Sequence, residues 1–301
     1  MRWKKLGNIF CPSGSNPLLY SHAANPLAIH LEKDVFRIFY SSRDTNNKSS
    51  VGFLDFDMLQ LKVIYKSDSP AFTYGAENTF YSHGVSIGNM YQVGEESYIL
   101  FMGWQVPESG HWRGDIGRLK VSKNKDLVLN PDTLFMGVDK EDAISLSYPW
   151  VMFHEGKYKM WYGSTISWSS ENGEMIHAIK YATSNDAIHW QKHGIAIPFL
   201  IGDAQAFSRP TVLVDDKGYH IWYSYRSGDG TPYRIGYAHS LDGVNWIRKH
   251  NEVGIDVSES GWDSEMICYP FVFDHLESRY MLYNGNSYGK TGFGIAILEH
   301  D

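Results

Sequence analysis

Apolar and polar positions alternate along this chain in short runs broken by turn residues, and one such run recurs. Phe207 to Arg226, FSRPTVLVDDKGYHIWYSYR, predicts two antiparallel strands joined by a tight Asp-Asp-Lys-Gly turn. Tyr148 to Ser164 (YPWVMFHEGKYKMWYGS) and Tyr269 to Asn286 (YPFVFDHLESRYMLYNGN) repeat it. A proline opens each copy (Pro149, Pro210, Pro270), and an apolar residue follows eleven positions on (Met160, Ile221, Met281), a period of 60 to 61 residues. The same ruler finds Leu100 in SYILFMGW and Ile38 in VFRIFYSSR. Pro26 opens that first copy, and Gly84 of YSHGVSIG takes the opening place in the second. Five copies fit in 301 residues.

A strand-built repeat of this length cannot bury its faces alone and must stack on its neighbours. Four strands per copy predict an all-β fold, a five-bladed β-propeller forming one domain over residues 1–301. The blades are expected at about 18–64, 80–129, 145–198, 207–255 and 266–299. A two-sheet sandwich would not account for a fivefold register. The last copy stops after its third strand, GFGIAILE. The chain begins RWKKLGNIF, in register with HWQKHGIAI and NWIRKHNEVGI through Trp3, Trp190 and Trp246. Residues 2–10 are therefore expected to supply the missing outer strand and close the ring, removing an exposed edge. In the turns YATSNDAIHW and YAHSLDGVNW, Asp186 and Asp242 are expected to cap their own backbone while the tryptophan packs between blades.

Composition narrows the class. Tyrosine (20) and glycine (28) suit many short strands with tight turns, and no apolar run is long enough to span a membrane. The basic start lacks an apolar core and a cleavage site. Two cysteines, Cys11 and Cys268, form no disulfide framework and no metal-ligand spacing. Together these point to a cytoplasmic protein with no redox cofactor and no metal. A net charge of −7 without a basic stripe argues against nucleic acid as a partner.

The inner strands should start, and the second strands end, at one face around a central funnel. The first set offers His22, Asn25, His83, Ser147, Tyr148, Arg209, Cys268 and Tyr269, and the second Arg43, Gln105, Thr165, Arg226 and Asn286. Counting seven residues back from Gly84, Pro149, Pro210 and Pro270 gives Glu77, Asp142, Asp203 and Asp263, and Glu265 follows. Carboxylates facing one funnel are what acid/base work on a glycosidic bond requires, one protonated and one ionised. The same acids could instead cap turns or pair with arginines. Three arginines with His22 and His83 point to an anionic sugar or glycan as ligand.

The proline-opened inner strands, the strands carrying Met160-Trp161-Tyr162, Ile221-Trp222-Tyr223 and Met281-Leu282-Tyr283, and the Ser-x-Asp-Gly-x-x-Trp turns resemble the propeller glycosidases. That superfamily holds glycoside hydrolase families 32, 43, 62 and 68 and the family 130 mannoside phosphorylases. SHAANP, SRP, GWDSEMICYP and YNGNSYGKTGFGIA are similar to bacterial proteins of this fold associated with surface-polysaccharide synthesis. The resemblance implies an Asp before the blade-one proline as general base, an Asp in blade two and a Glu in blade three. Asn25, His83 and Ser147-Tyr148 stand at those places instead. If hydrolysis persists, Glu265 is the expected proton donor and Asp203 or Asp142 the base, with His83 as helper. Three functions follow: a glycosidase-like enzyme acting on a glycosidic or sugar-phosphate linkage, a non-hydrolytic nucleotide-sugar or glycan-processing protein, and a catalytically inactive carbohydrate-binding propeller.

Overall fold

The computed structural model describes residues 1–299 apart from Ser109 and Asp132. The first strand, β1 (Trp3–Phe10), pairs with the last, β20 (Phe293–Leu298). Between them the strands fall into antiparallel quartets. The first is β2–β5 (Ser21–Glu32, Val35–Arg43, Ser49–Asp57, Lys62–Lys66). The second is β6–β9 (Gly84–Val93, Glu96–Gln105, Arg113–Val121, Leu127–Leu129). The third is β10–β13 (Leu146–His154, Lys157–Ser167, Ile176–Ser184, Gln191–Ile195). The fourth is β14–β17 (Ala206–Asp215, Gly218–Arg226, Arg234–Ser240, Ile247–Arg248). In the fifth, β18 (Cys268–His275) and β19 (Ser278–Asn284) join β20 and β1. Single parallel bridges, Ser49 with Gly84 and His177 with Ala206, tie the first quartet to the second and the third to the fourth.

Local chemistry explains the hairpins. At the β14–β15 turn the Asp215 carboxylate accepts the Lys217 N–H at 2.9 Å, and Gly218 takes φ 112°. Asp186 accepts the N–H groups of Ile188 and His189, and Asp242 those of Val244 and Asn245, all at 2.8 Å. These turns seat Trp246 edge-on against Trp161 of the third quartet, ring centres 6.1 Å apart. The second strands expected to alternate are instead buried almost throughout. In β15 even His220 and Ser224 are covered, because quartets pack against both faces of the sheet.

Each first strand carries a β-bulge at one repeat position. The bulged pairs are Asn25-Pro26, Gly88-Asn89, Tyr148-Pro149, Arg209-Pro210 and Tyr269-Pro270. The second copy therefore opens at Asn89, eleven residues before Leu100, and not at Gly84. Asn25, Tyr148, Arg209 and Tyr269 all adopt left-handed φ, between 38° and 54°. The second quartet needs glycine there for a different reason: a Cβ on Gly88 would collide with the carbonyl oxygens of Leu100 and Pro149.

Hydrogen bonds near these bulges link successive quartets. Ser41 Oγ accepts the Ile87 N–H (3.3 Å), and the Asn89 amide brackets Val151, accepting its N–H at 2.8 Å and donating to its carbonyl at 2.7 Å. Ser224 Oγ accepts the Tyr269 N–H (2.7 Å), while at the far, hairpin end of the sheets Tyr219 donates to Glu155 (3.1 Å). The fifth quartet returns to the first, with Asn284 Oδ1 accepting the Asn25 N–H at 3.0 Å.

The N-terminal strand carries a buried Trp3 into the cluster of Trp222, Val272 and Met281. Burying one such side chain is worth about 2–3 kcal/mol. Deleting residues 1–10 should therefore lower Tm by at least about 5 °C in a calorimetric scan, since ~1 kcal/mol moves a domain of this size by roughly 2 °C. An unchanged melt would show that β20 does not depend on its partner.

Candidate functional site

The first and third strands of a quartet start, and the second ends, at the same end of the sheet. Around the common axis at that end lies a cavity of about 260 Å³. Asn25 and Arg43 come to it from the first quartet, and Trp104 with Trp112 from the second. Tyr148, Met175 and His177 come from the third, Arg226 and Tyr233 from the fourth, and Tyr269 and Tyr288 from the fifth. Five expected residues thus meet here: Asn25, Arg43, Tyr148, Arg226 and Tyr269.

Among the described residues no carboxylate lines the cavity. Arg43 makes no ion pair there, and Arg226 pairs with Glu174 (3.3 Å) from the long 167–175 loop. Near Arg43, burial first, and then Arg43 and Lys290, hold the His22 imidazole down at about 4, so it is neutral at physiological pH. His22 and His83 lie just outside the lining; His83 Nδ1 accepts the Val106 N–H at 3.3 Å. Asn286 is a bracket, its Oδ1 accepting the N–H groups of Glu265 (2.8 Å) and Met266 (3.1 Å).

Arg209 sits beneath the floor, 3% exposed. Its guanidinium donates to the carbonyls of Pro26 (2.6 Å) and Ile87, so it spends its hydrogen bonds on the scaffold. Burial pushes its pKa down to about 9, still charged at neutral pH.

The expected acid and bases stand elsewhere, and three of the acids share one arrangement. Each pairs with the basic residue two positions after the register tryptophan of its quartet's outer strand. Asp142 binds Lys192 (2.5 Å), Asp203 binds Arg248 (2.9 Å) and Asp263 binds Lys5 (2.7 Å). Asp142 also accepts from Ser164 (2.6 Å), Tyr162 (3.0 Å) and Lys180 (2.7 Å), as Asp263 does from Tyr283 (3.0 Å). Although burial alone would raise it, hydrogen bonds from Lys180, Lys192 and Ser164 hold the Asp142 carboxyl near 2. Glu265 is exposed, its backbone carbonyl accepting from Arg234 at 2.9 Å. Asp142, Asp203, Asp263 and Glu265 therefore do not converge on the cavity, because a clasp between outer strand and lead-in segment holds the first three.

Sequence reading missed Trp104, Trp112, His177, Ser208, Tyr233 and Tyr288. His177 and Tyr233 stand at the starts of third strands, which begin at the same end as the first strands. Trp104 immediately precedes the strand-end position that Arg43 and Arg226 hold in their copies, where an aromatic reads as core. His177 is buried with both nitrogens engaged, Nε2 with Ser147 Oγ (2.6 Å) and Nδ1 with Thr165 Oγ1 (2.8 Å). Among the described residues, three buried polar atoms of the lining have no partner: Asn25 Oδ1, Ser208 Oγ and Arg226 Nε. Buried polar atoms are normally hydrogen-bonded, so orphans gathered at one cavity mark a place for a ligand or ordered water. Among the described residues no group of three or more His, Cys, Asp or Glu side chains is placed to hold a metal ion. None of the described helices is long and apolar enough to cross a membrane.

No protein-family model matches the chain. It is 40% identical over 302 residues to Uncharacterized protein Rv1502 of Mycobacterium tuberculosis (strain ATCC 25618 / H37Rv), covering 100% of both. Uncharacterized protein MT1551 of strain CDC 1551 / Oshkosh matches equally, at 40% over 302 residues. The crystal structure of a glycosyl hydrolase from Bacteroides ovatus superposes with TM-score 0.72 at 14% identity, over 99% of this chain and 93% of its own. A structure from the GH130 family of mannoside phosphorylases, described as containing hydrolases that target β-1,2 mannosidic linkages in Candida mannan, gives TM-score 0.68 at 14% identity. It covers 99% of this chain and 93% of its own. The fold is that of the propeller glycosidases.

Burial holds the His177 pKa at about 4, against an ordinary value near 6.5. Between these values the unfolded chain binds more protons, so stability falls as pH drops from about 6.5 toward 4 and is fully present above that window. Tm should be flat above pH 7 and decline below 6.5, and His177→Gln should shallow the decline. An identical slope in the variant would remove His177 from the account.

Proposed function

The chain belongs to the family of the two Mycobacterium tuberculosis proteins, and from that premise we propose a glycosidase-like propeller that takes an anionic sugar in its axial cavity. The five quartets read as five blades, with β1 completing the last. One observation carries the ligand reading: Arg43 and Arg226 line the cavity and no described carboxylate does. Arg43, joined by Arg226 when a ligand displaces Glu174, favours a phosphate or carboxylate over a neutral sugar in a partly enclosed, low-dielectric site. Tyr148, Tyr233, Tyr269 and Tyr288 supply amphipathic walls against which a sugar ring packs. A cytoplasmic place fits such a ligand, since phosphorylated sugars are intracellular intermediates.

Turnover is a second reading, favoured by Glu174 on Arg226. A single carboxyl with an arginine-held phosphate suffices for phosphorolysis. Once a ligand phosphate replaces it on Arg226, Glu174 would take up a proton and turn into the cavity. There it would protonate the leaving oxygen as the glycosidic C–O bond breaks, while a phosphate oxygen forms the new bond to the anomeric carbon. The assignment of Glu265, Asp203 and Asp142 to acid and base is the competing scheme; it requires Asp203 and Asp142 to leave Arg248 and Lys192, and the exposed Glu265 to turn into the cavity.

Calorimetric titration should show sugar 1-phosphates binding at least tenfold more tightly than the parent sugars. Arg43→Ala should remove most of that difference. Equal affinity for charged and neutral sugars would sink the anionic reading. Should phosphate-dependent cleavage of a glycoside be found, Glu174→Gln should abolish it while leaving binding in place, whereas Glu265→Gln should leave it intact.

A further inference from the structure

The cavity has two chemically different sides. On the side of the fourth, fifth and first quartets, among the tyrosines Tyr233, Tyr269 and Tyr288, stand the unpartnered Asn25 Oδ1, Ser208 Oγ and Arg226 Nε, together with the Arg43 guanidinium. Asn25 and Ser208 are only 2% and 4% exposed, so these orphans are not served by bulk water. Across from them, on the second and third quartets, stand Met102, Trp104, Trp112, Met175 and His177. Polar atoms on that wall are largely engaged already. Trp104 Nε1 donates to Ser49 Oγ at 3.0 Å, and both His177 nitrogens are held by Ser147 and Thr165. The wall is also braced from behind: Trp168 lies edge-on to Trp112 at 5.0 Å and stacks on His111 at 4.6 Å.

A ligand that satisfies both sides is polar and anionic at one end and flat and apolar at the other. A second sugar ring fits the wall poorly, because its hydroxyls would lose water without gaining partners. A nucleobase presents a face with no such groups and stacks on aromatic side chains. We propose, building on the anionic-sugar reading, that the cavity takes a nucleoside diphosphate sugar. Its phosphates meet Arg43 and Arg226, its sugar hydroxyls meet Asn25 Oδ1 and Ser208 Oγ, and its base lies on the Trp112–Met175 wall.

The experiment titrates the full chain with inorganic pyrophosphate, glucose 1-phosphate, a panel of nucleoside diphosphates and their sugar conjugates, read by calorimetry and tryptophan fluorescence. At least one nucleoside diphosphate should bind tenfold or more tightly than pyrophosphate and quench the fluorescence. Trp112→Ala should bring it to the pyrophosphate level with pyrophosphate affinity unchanged, and Trp112→Tyr should restore the gain. Nucleotides binding no better than pyrophosphate or glucose 1-phosphate would overturn the base site while leaving the anion site standing. Absence of binding by all four classes would remove the anion site as well.

Discussion

One buried cation organises the centre of this molecule. Arg209 occupies the left-handed bulge of the fourth quartet and sends its guanidinium beneath the cavity to the carbonyls of Pro26 and Ile87, which belong to the bulges of the first and second. Three quartets far apart in sequence are thereby held to one point. The cost of desolvating a guanidinium is offset only while those carbonyls stay in place, and among the described residues its Nε has no partner. The inner ends of the sheets therefore cannot drift apart without stranding a charge. The rigid floor that results is what allows the side chains above it to face one another.

Bulges are the local device behind this arrangement. A regular strand would send successive side chains to opposite faces of its sheet, and none along the axis. Inserting one residue with φ above zero rotates the side chain at that point. Asn25, Tyr148 and Tyr269 are aimed into the cavity, and Arg209 is aimed under it. Proline follows four of the five, and it cannot donate to the ladder there. Where the proline is missing, Asn89 replaces the lost regularity with two hydrogen bonds to Val151 of the next quartet.

Charge is partitioned just as firmly. The acids that a funnel enzyme would use are drawn to the rim, where Asp142, Asp203 and Asp263 clasp Lys192, Arg248 and Lys5 of the outer strands. For the fifth quartet that clasp also fastens the N-terminal strand to the sheet it completes. With those carboxylates engaged, Arg43 and the Glu174-paired Arg226 are the charged residues lining the cavity among those described, and they stand with tyrosines opposite the Trp104 and Trp112 wall.

The repeat, the quartet of strands in each copy and the part played by residues 2–10 were legible in the sequence because they rest on period and register, which are properties of the chain itself. Asn25, Arg43, Tyr148, Arg226 and Tyr269 were legible for the same reason: strand direction fixes which ends share a face. Both halves of the acid clasp were visible too, the acids seven residues before the opening position and the bases two after the tryptophan. Their pairing was not, because it joins residues 45 to 258 positions apart, and only folding decides which opposite charges meet. The second copy was placed at Gly84 instead of Asn89 because a bulge built from Gly-Asn carries no proline to mark it. The sequence alone determined a repeated quartet of β-strands and the ends of those strands. Which charges face inward and which are spent on the scaffold was decided by tertiary contact, since electrostatic pairing acts across space and leaves no period along the chain.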